Sequence, residues 1–150
     1  MARRKRKKRY NPYAVSILAM SAVILILCIV IGIKLFSILT YNPLKEENLQ
    51  EMQAVTPAAD GSLPTYAYIL TTQEGMDGLS EKKFRKFAED TVAGSAYAWI
   101  AIDFQDGTGI VFTGSDTSQA AYGYLDENRC ISEVFGYITL SDGTYRYTAL

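Results

Sequence analysis

Residues 3–9 read Arg-Arg-Lys-Arg-Lys-Lys-Arg, and a few positions later an apolar run begins, with no charged residue from Ala14 to Ile33 and only Ser16 and Ser21 as small polar groups. Those twenty residues, at about 1.5 Å each, match the roughly 30 Å hydrocarbon core of a bilayer. A cationic cluster flanking such a span stays on the cytoplasmic side. The pattern therefore predicts a single-pass protein of the cell membrane with its N-terminus in the cytoplasm and its C-terminus outside.

The span is read as an uncleaved signal anchor over 14–39, because Lys34 can snorkel and Leu35–Leu39 continue the apolar run. A cleaved signal has an apolar region of about 7–15 residues, followed by a small-residue cleavage site. Leu25-Ile26-Leu27-Cys28 resembles a bacterial lipobox, but Leu27 stands where a small residue is required and the apolar run continues past Cys28. Tyr10, Tyr13 and Tyr41 bracket the span as interfacial aromatics do. Four segments follow: a basic cytoplasmic tail at 1–13, the anchor at 14–39, a juxtamembrane linker at 40–62 and an extracytoplasmic domain at 63–150. The expected partners of the first two are the bilayer for residues 14–39 and anionic lipid headgroups for residues 3–9. The chain has no Asn-x-Ser/Thr site, in keeping with a bacterial plasma membrane.

The net charge of −1 conceals strong polarity. From Tyr41 onward seven Lys/Arg face all sixteen Asp/Glu, a net of −9, which argues against nucleic acid as a partner. Histidine is absent, and the two cysteines, Cys28 within the span and Cys130 in the domain, make no disulfide framework. Cys130 reads as a small buried hydrophobe or an intermolecular bridge, and its neighbour Arg129 could lower its pKa.

Beyond the linker the pattern predicts an α+β domain. A strand at 65–71 precedes a helix with Ser80 as N-cap, Leu79 stapled to Phe84, and Phe84, Phe87, Ala88 and Thr91 on one face, ended by Gly94. Strands follow at about 96–104, 109–114, 119–125, 131–140 and 143–148, separated by polar turns that include Asp106-Gly107 and Asp142-Gly143. Short turns between consecutive strands predict an antiparallel meander of five or six strands with one helix packed on it.

Aromatics recur two residues apart along these strands, and that spacing places both side chains on one face. The pairs are Tyr66 with Tyr68, Tyr97 with Trp99, Tyr122 with Tyr124, Phe135 with Tyr137, and Tyr145 with Tyr147. Alternate positions, among them Ile69, Ile100, Ile102, Phe104, Leu125 and Ile138, are aliphatic or phenylalanine. The expectation is an aliphatic face under the helix and an aromatic face on the other side. Tyr97, Trp99, Tyr122, Tyr124 and Tyr137 are the expected binding residues, for an envelope or membrane protein or a second copy of the chain. The bland counterpart is that tyrosine simply forms good strands and cross-strand pairs.

No catalytic, cofactor-binding or metal-binding residue is assigned. Asp103-Phe104-Gln105-Asp106-Gly107-Thr108 is similar to the D-x-D-x-T start of haloacid-dehalogenase-type phosphotransferases, but its second aspartate comes one position late. As a calcium loop it has Gln105 at a ligand position and its glycine too early. The sequence thus predicts a non-enzymatic protein-interaction module held at the membrane. The alternatives are a glycan- or cell-wall-binding domain using the aromatic face, and a small hydrolase or transferase using the acidic loop residues.

Overall fold

The computed structural model describes residues 11–71 and 75–150. The basic cluster at 3–9, expected to meet lipid headgroups, lies outside the described residues. The chain divides after Tyr41 into two units, the first holding helix α1 (Pro12–Thr40) and the second comprising Asn42–Leu150.

Helix α1 begins where its chemistry dictates. The Asn11 side chain accepts a hydrogen bond from the Tyr13 amide at 3.1 Å, and Pro12 occupies the first turn, where its missing N–H costs nothing. It runs 29 residues without a break, none of them buried. It is long and apolar enough to cross a membrane.

The second unit is a seven-stranded mixed sheet with one short helix, an α+β arrangement with more strands than the sequence predicts. The strands are β1 (Gln50–Gln53), β2 (Thr65–Leu70), β3 (Trp99–Asp103), β4 (Thr108–Thr113), β5 (Gln119–Leu125), β6 (Ile131–Ser141) and β7 (Thr144–Ala149), lying side by side in chain order. Two expectations are corrected. The stretch 40–62, read as a linker, supplies β1 as an edge strand and sends Leu44 and Ala54 into buried positions. The sheet is also not a pure meander: β2 and β3 are parallel, with Ala67 opposite Ile100, because helix α2 (Glu81–Phe87) lies between them as a crossover.

α2 continues as a π-helical turn, Ala88–Val92, in which the Ala93 amide bonds the Ala88 carbonyl at 2.9 Å. It buries Phe84, Phe87, Ala88 and Val92 against Ala67, Ile69, Ile100, Ile102, Ile110, Phe112, Ala120 and Ile138. Ser80 occupies the N-cap position, but its side chain makes no capping bond. The β6–β7 hairpin follows its sequence signal: Asp142 and Gly143 both have positive φ (53° and 74°), and Ser141 pairs with Thr144, as in a two-residue type I′ turn.

Candidate functional site

The two faces of the sheet are closed by different means. On the first, Phe84 stacks on Phe112 (5.3 Å between ring centroids) and meets Tyr145 edge-on (4.9 Å) beneath α2. Among the described residues no helix covers the second face. Over β1–β3 it is covered by the β5–β6 turn, through Arg129. The Arg129 Nε lies 3.1 Å from Asp103 Oδ2, its guanidinium carbon is 3.7 Å from the centre of the Tyr68 ring, and its Nη1 is 3.8 Å from Met52 Sδ. Beneath this clasp Tyr66 is fully buried and stacks on Trp99 at 4.7 Å, and burial pushes the Tyr66 phenol above its usual pKa.

Over β4–β6 the second face is open. Two adjoining hollows, of about 250 and 230 Å³, share a floor of Val111, Thr113 and Ala121. The first is walled by Trp99, Cys130 and Ile131; the second by Asp116, Gln119 and Tyr137. The floor residues carry short side chains, so a ligand backbone or side chain can approach the sheet closely. Cys130 forms part of the wall, and burial, followed by the nearby Asp126 carboxylate, raises its thiol pKa. The lowering that Arg129 could exert is therefore not what governs this thiol.

The five expected binding residues do not share a face. Trp99 and Tyr137 flank the open trough on the second face. Tyr97 precedes β3, packs against the α2-side core and donates its hydroxyl to the Glu51 carboxylate, which also raises the Tyr97 pKa. Tyr122 is enclosed edge-on by Phe104, Phe135 and Tyr147 on the helix side, and Tyr124, 48% exposed, meets Phe135 at 4.7 Å. The register between strands is the cause. In the unbroken β4–β5 ladder Tyr122 lies opposite Ile110 and Tyr124 opposite Thr108, on the helix side, whereas Trp99 lies opposite Thr113 on the other side. Ile69, Ile100, Ile102, Phe104 and Ile138 do join the core under the helix, whereas Leu125 lies over Gly109 on the second face.

The trough floor was missed by sequence reading because Val111, Thr113 and Ala121 carry no chemical signal. Their only hint was a run of small or β-branched residues at alternate positions of neighbouring strands.

The acidic turn residues have structural tasks. Asp60, Asp106 and Asp116 each accept from both the backbone amide and the hydroxyl of the residue two positions on, Ser62, Thr108 and Ser118. Those bonds, the hydroxyl's first, hold all three carboxyls below the usual carboxylate range. Asp126 caps its own turn through the amides of Asn128 and Cys130. Among the described residues no group of three or more Asp, Glu or Cys is placed to hold a metal ion.

No family model, no curated protein and no solved structure matches this chain.

Proposed function

We propose that the chain is a single-pass membrane protein, N-terminus cytoplasmic, whose Asn42–Leu150 domain is a non-enzymatic docking module for a protein partner of the cell envelope. The observation that supports this is the half-covered second face. A sheet face left bare over β4–β6, with an apolar floor between Trp99 and Tyr137, has the form of a protein-binding surface rather than of a finished core. The occupant fitting it is a segment carrying an apolar anchor side chain with basic residues beside it. Asp116 stands on the rim, and the domain carries sixteen carboxylates against seven cations. Four of those cations, Lys82, Lys83, Arg85 and Lys86, belong to α2, which covers the other face, and a fifth, Arg129, is paired with Asp103.

A glycan is the weaker fit, because sugar stacking needs a free ring face. One face of Trp99 is taken by Tyr66, and Tyr122 is hemmed in by three rings.

The test is photo-crosslinking in living cells from position 137 or 113 of the full chain, with Ala121→Arg as the blocking variant. A discrete protein adduct that falls roughly tenfold or more with the arginine supports the docking surface, as expected when a hot-spot contact is lost. An adduct indifferent to Ala121→Arg, or none from either position, counts against it.

A further inference from the structure

We propose that Lys34 binds the phosphate layer of the outer leaflet, which fixes where the span ends and makes residues 35–40 a helical stalk through the lipid headgroups. This rests on α1 being the membrane span. Its 29 residues rise about 43 Å, some 13 Å more than a hydrocarbon core of about 30 Å. Something must therefore decide which part of the helix is immersed.

Between Pro12 and Thr40 the one charged residue is Lys34. The uncharged stretch before it, Ala14–Ile33, is about 30 Å long, so an upright helix delivers the ammonium to the outer boundary just as the hydrocarbon ends. A lysine there has a flexible four-carbon stem and three N–H donors. Its complement is an anionic phosphodiester, which supplies both charge and acceptor oxygens.

The next six residues, Leu35–Thr40, rise about 9 Å, close to the roughly 5–8 Å of one headgroup layer. The helix stays closed to its end, with the Thr40 hydroxyl donating to the Phe36 carbonyl at 2.7 Å, and Tyr41 follows as an interfacial aromatic. The competing arrangement immerses Ala14–Leu39 entire. Fitting those 39 Å or so into 30 Å needs a tilt of about 40°, the upper limit of the usual range, and leaves Lys34 below the lipid surface.

The two arrangements separate in a depth measurement on the full chain. With Cys28→Ser and Cys130→Ser, a fluorophore is attached at Val30→Cys, Ile33→Cys, Phe36→Cys or Leu39→Cys. The protein is reconstituted into vesicles of phosphatidylcholine and phosphatidylglycerol carrying a nitroxide either on the headgroup or deep in the acyl chain. The expected result is a crossover from acyl-chain to headgroup quenching between positions 33 and 36. Lys34→Leu should move that crossover past position 39, about five residues, and Lys34→Arg should leave it in place. A crossover beyond 39 in the parent chain, or one unmoved by Lys34→Leu, overturns the role of Lys34 while leaving the span intact. Absence of quenching by either nitroxide at all four positions would overturn the span assignment and this inference together.

Discussion

Replacing Arg129 by methionine isolates what holds the β5–β6 turn against the second sheet face. Three contacts go at once: the ion pair with Asp103, the cation–π contact with Tyr68, and the approach of Nη1 to Met52. Truncating one member of a fully buried ion pair costs about 3–5 kcal/mol. Here the two side chains keep 24% and 15% of their surface in water, so solvent screening reduces the cost to about 2 kcal/mol. Losing the cation–π contact adds about 0.5–1 kcal/mol. Methionine preserves most of the aliphatic volume, and the left-handed φ of 56° strains either side chain alike, so neither term moves the balance far. The expected loss is about 2–3 kcal/mol. The assay is urea unfolding of the full chain in detergent micelles, followed by the emission of Trp99. It is the only tryptophan and stacks on Tyr66 beneath the clasp. With a denaturant slope of about 1–2 kcal/mol per molar, the midpoint should fall by about 1–3 M. A double-mutant cycle with Asp103→Asn should return a coupling of about 1–2 kcal/mol. If Arg129→Met unfolds within about 0.5 kcal/mol of the parent and leaves Trp99 emission unchanged, the clasp is not what covers this face.

Three further outcomes are expected. Phe84→Ala removes the ring that meets both Phe112 and Tyr145 from a site 2% exposed, and should cost about 3–5 kcal/mol in the same unfolding assay. Gly136→Ala should cost about 1–3 kcal/mol, because the added methyl would meet the Thr148 carbonyl and lie 2.6 Å from the Tyr147 ring; an unchanged midpoint would mean that β7 is free to yield. Because the folded state lowers the pKa of Asp60, Asp106 and Asp116, their stabilisation is complete above about pH 4 and is lost as pH falls through the lower, folded values. Unfolding midpoints between pH 4 and 2.5 should therefore decline less steeply in the triple Asp→Asn variant, and identical slopes would remove these turns from the acid response.

The sequence exposed the elements that obey a single period. The long apolar helix α1, the α2 face and the Asp142-Gly143 hairpin could all be read because each follows from uninterrupted apolar runs, 3.6-residue spacing or turn chemistry. β1 was hidden because an edge strand such as Gln50-Glu51-Met52-Gln53 buries little and so carries no alternation. The parallel pairing of β2 and β3 was legible in the strand–helix–strand order, the pattern of a parallel crossover, which the meander reading of the later strands overrode. The aromatic face failed for a different reason. Spacing puts Tyr122 and Tyr124 on one side, as found, but which side is set by their pairing opposite Ile110 and Thr108 of β4, and the pattern of a single strand does not state that register.

Two irregularities in the β5–β6 ladder connect the fold to the proposed docking surface. A seven-stranded sheet with one helix must close its second face by some other route, and here the closure comes from a turn rather than an element. Gly123 sits at the first register shift, where the Glu133 carbonyl leaves no space for a Cβ, so the close strand approach there requires glycine. The ladder resumes through Tyr124 and shifts again before Leu125, and the chain then enters the turn that carries Arg129 to Asp103 and Tyr68. Arg129 reaches β2 and β3, while Cys130 and Ile131 stop at the edge of the trough. One cation therefore draws the boundary between the covered and open halves of the face. Loosening it should unseat Trp99 at the trough wall before it disturbs the helix-side core, so Arg129→Met should weaken the crosslink from position 137 in living cells while the purified full chain still unfolds cooperatively in micelles.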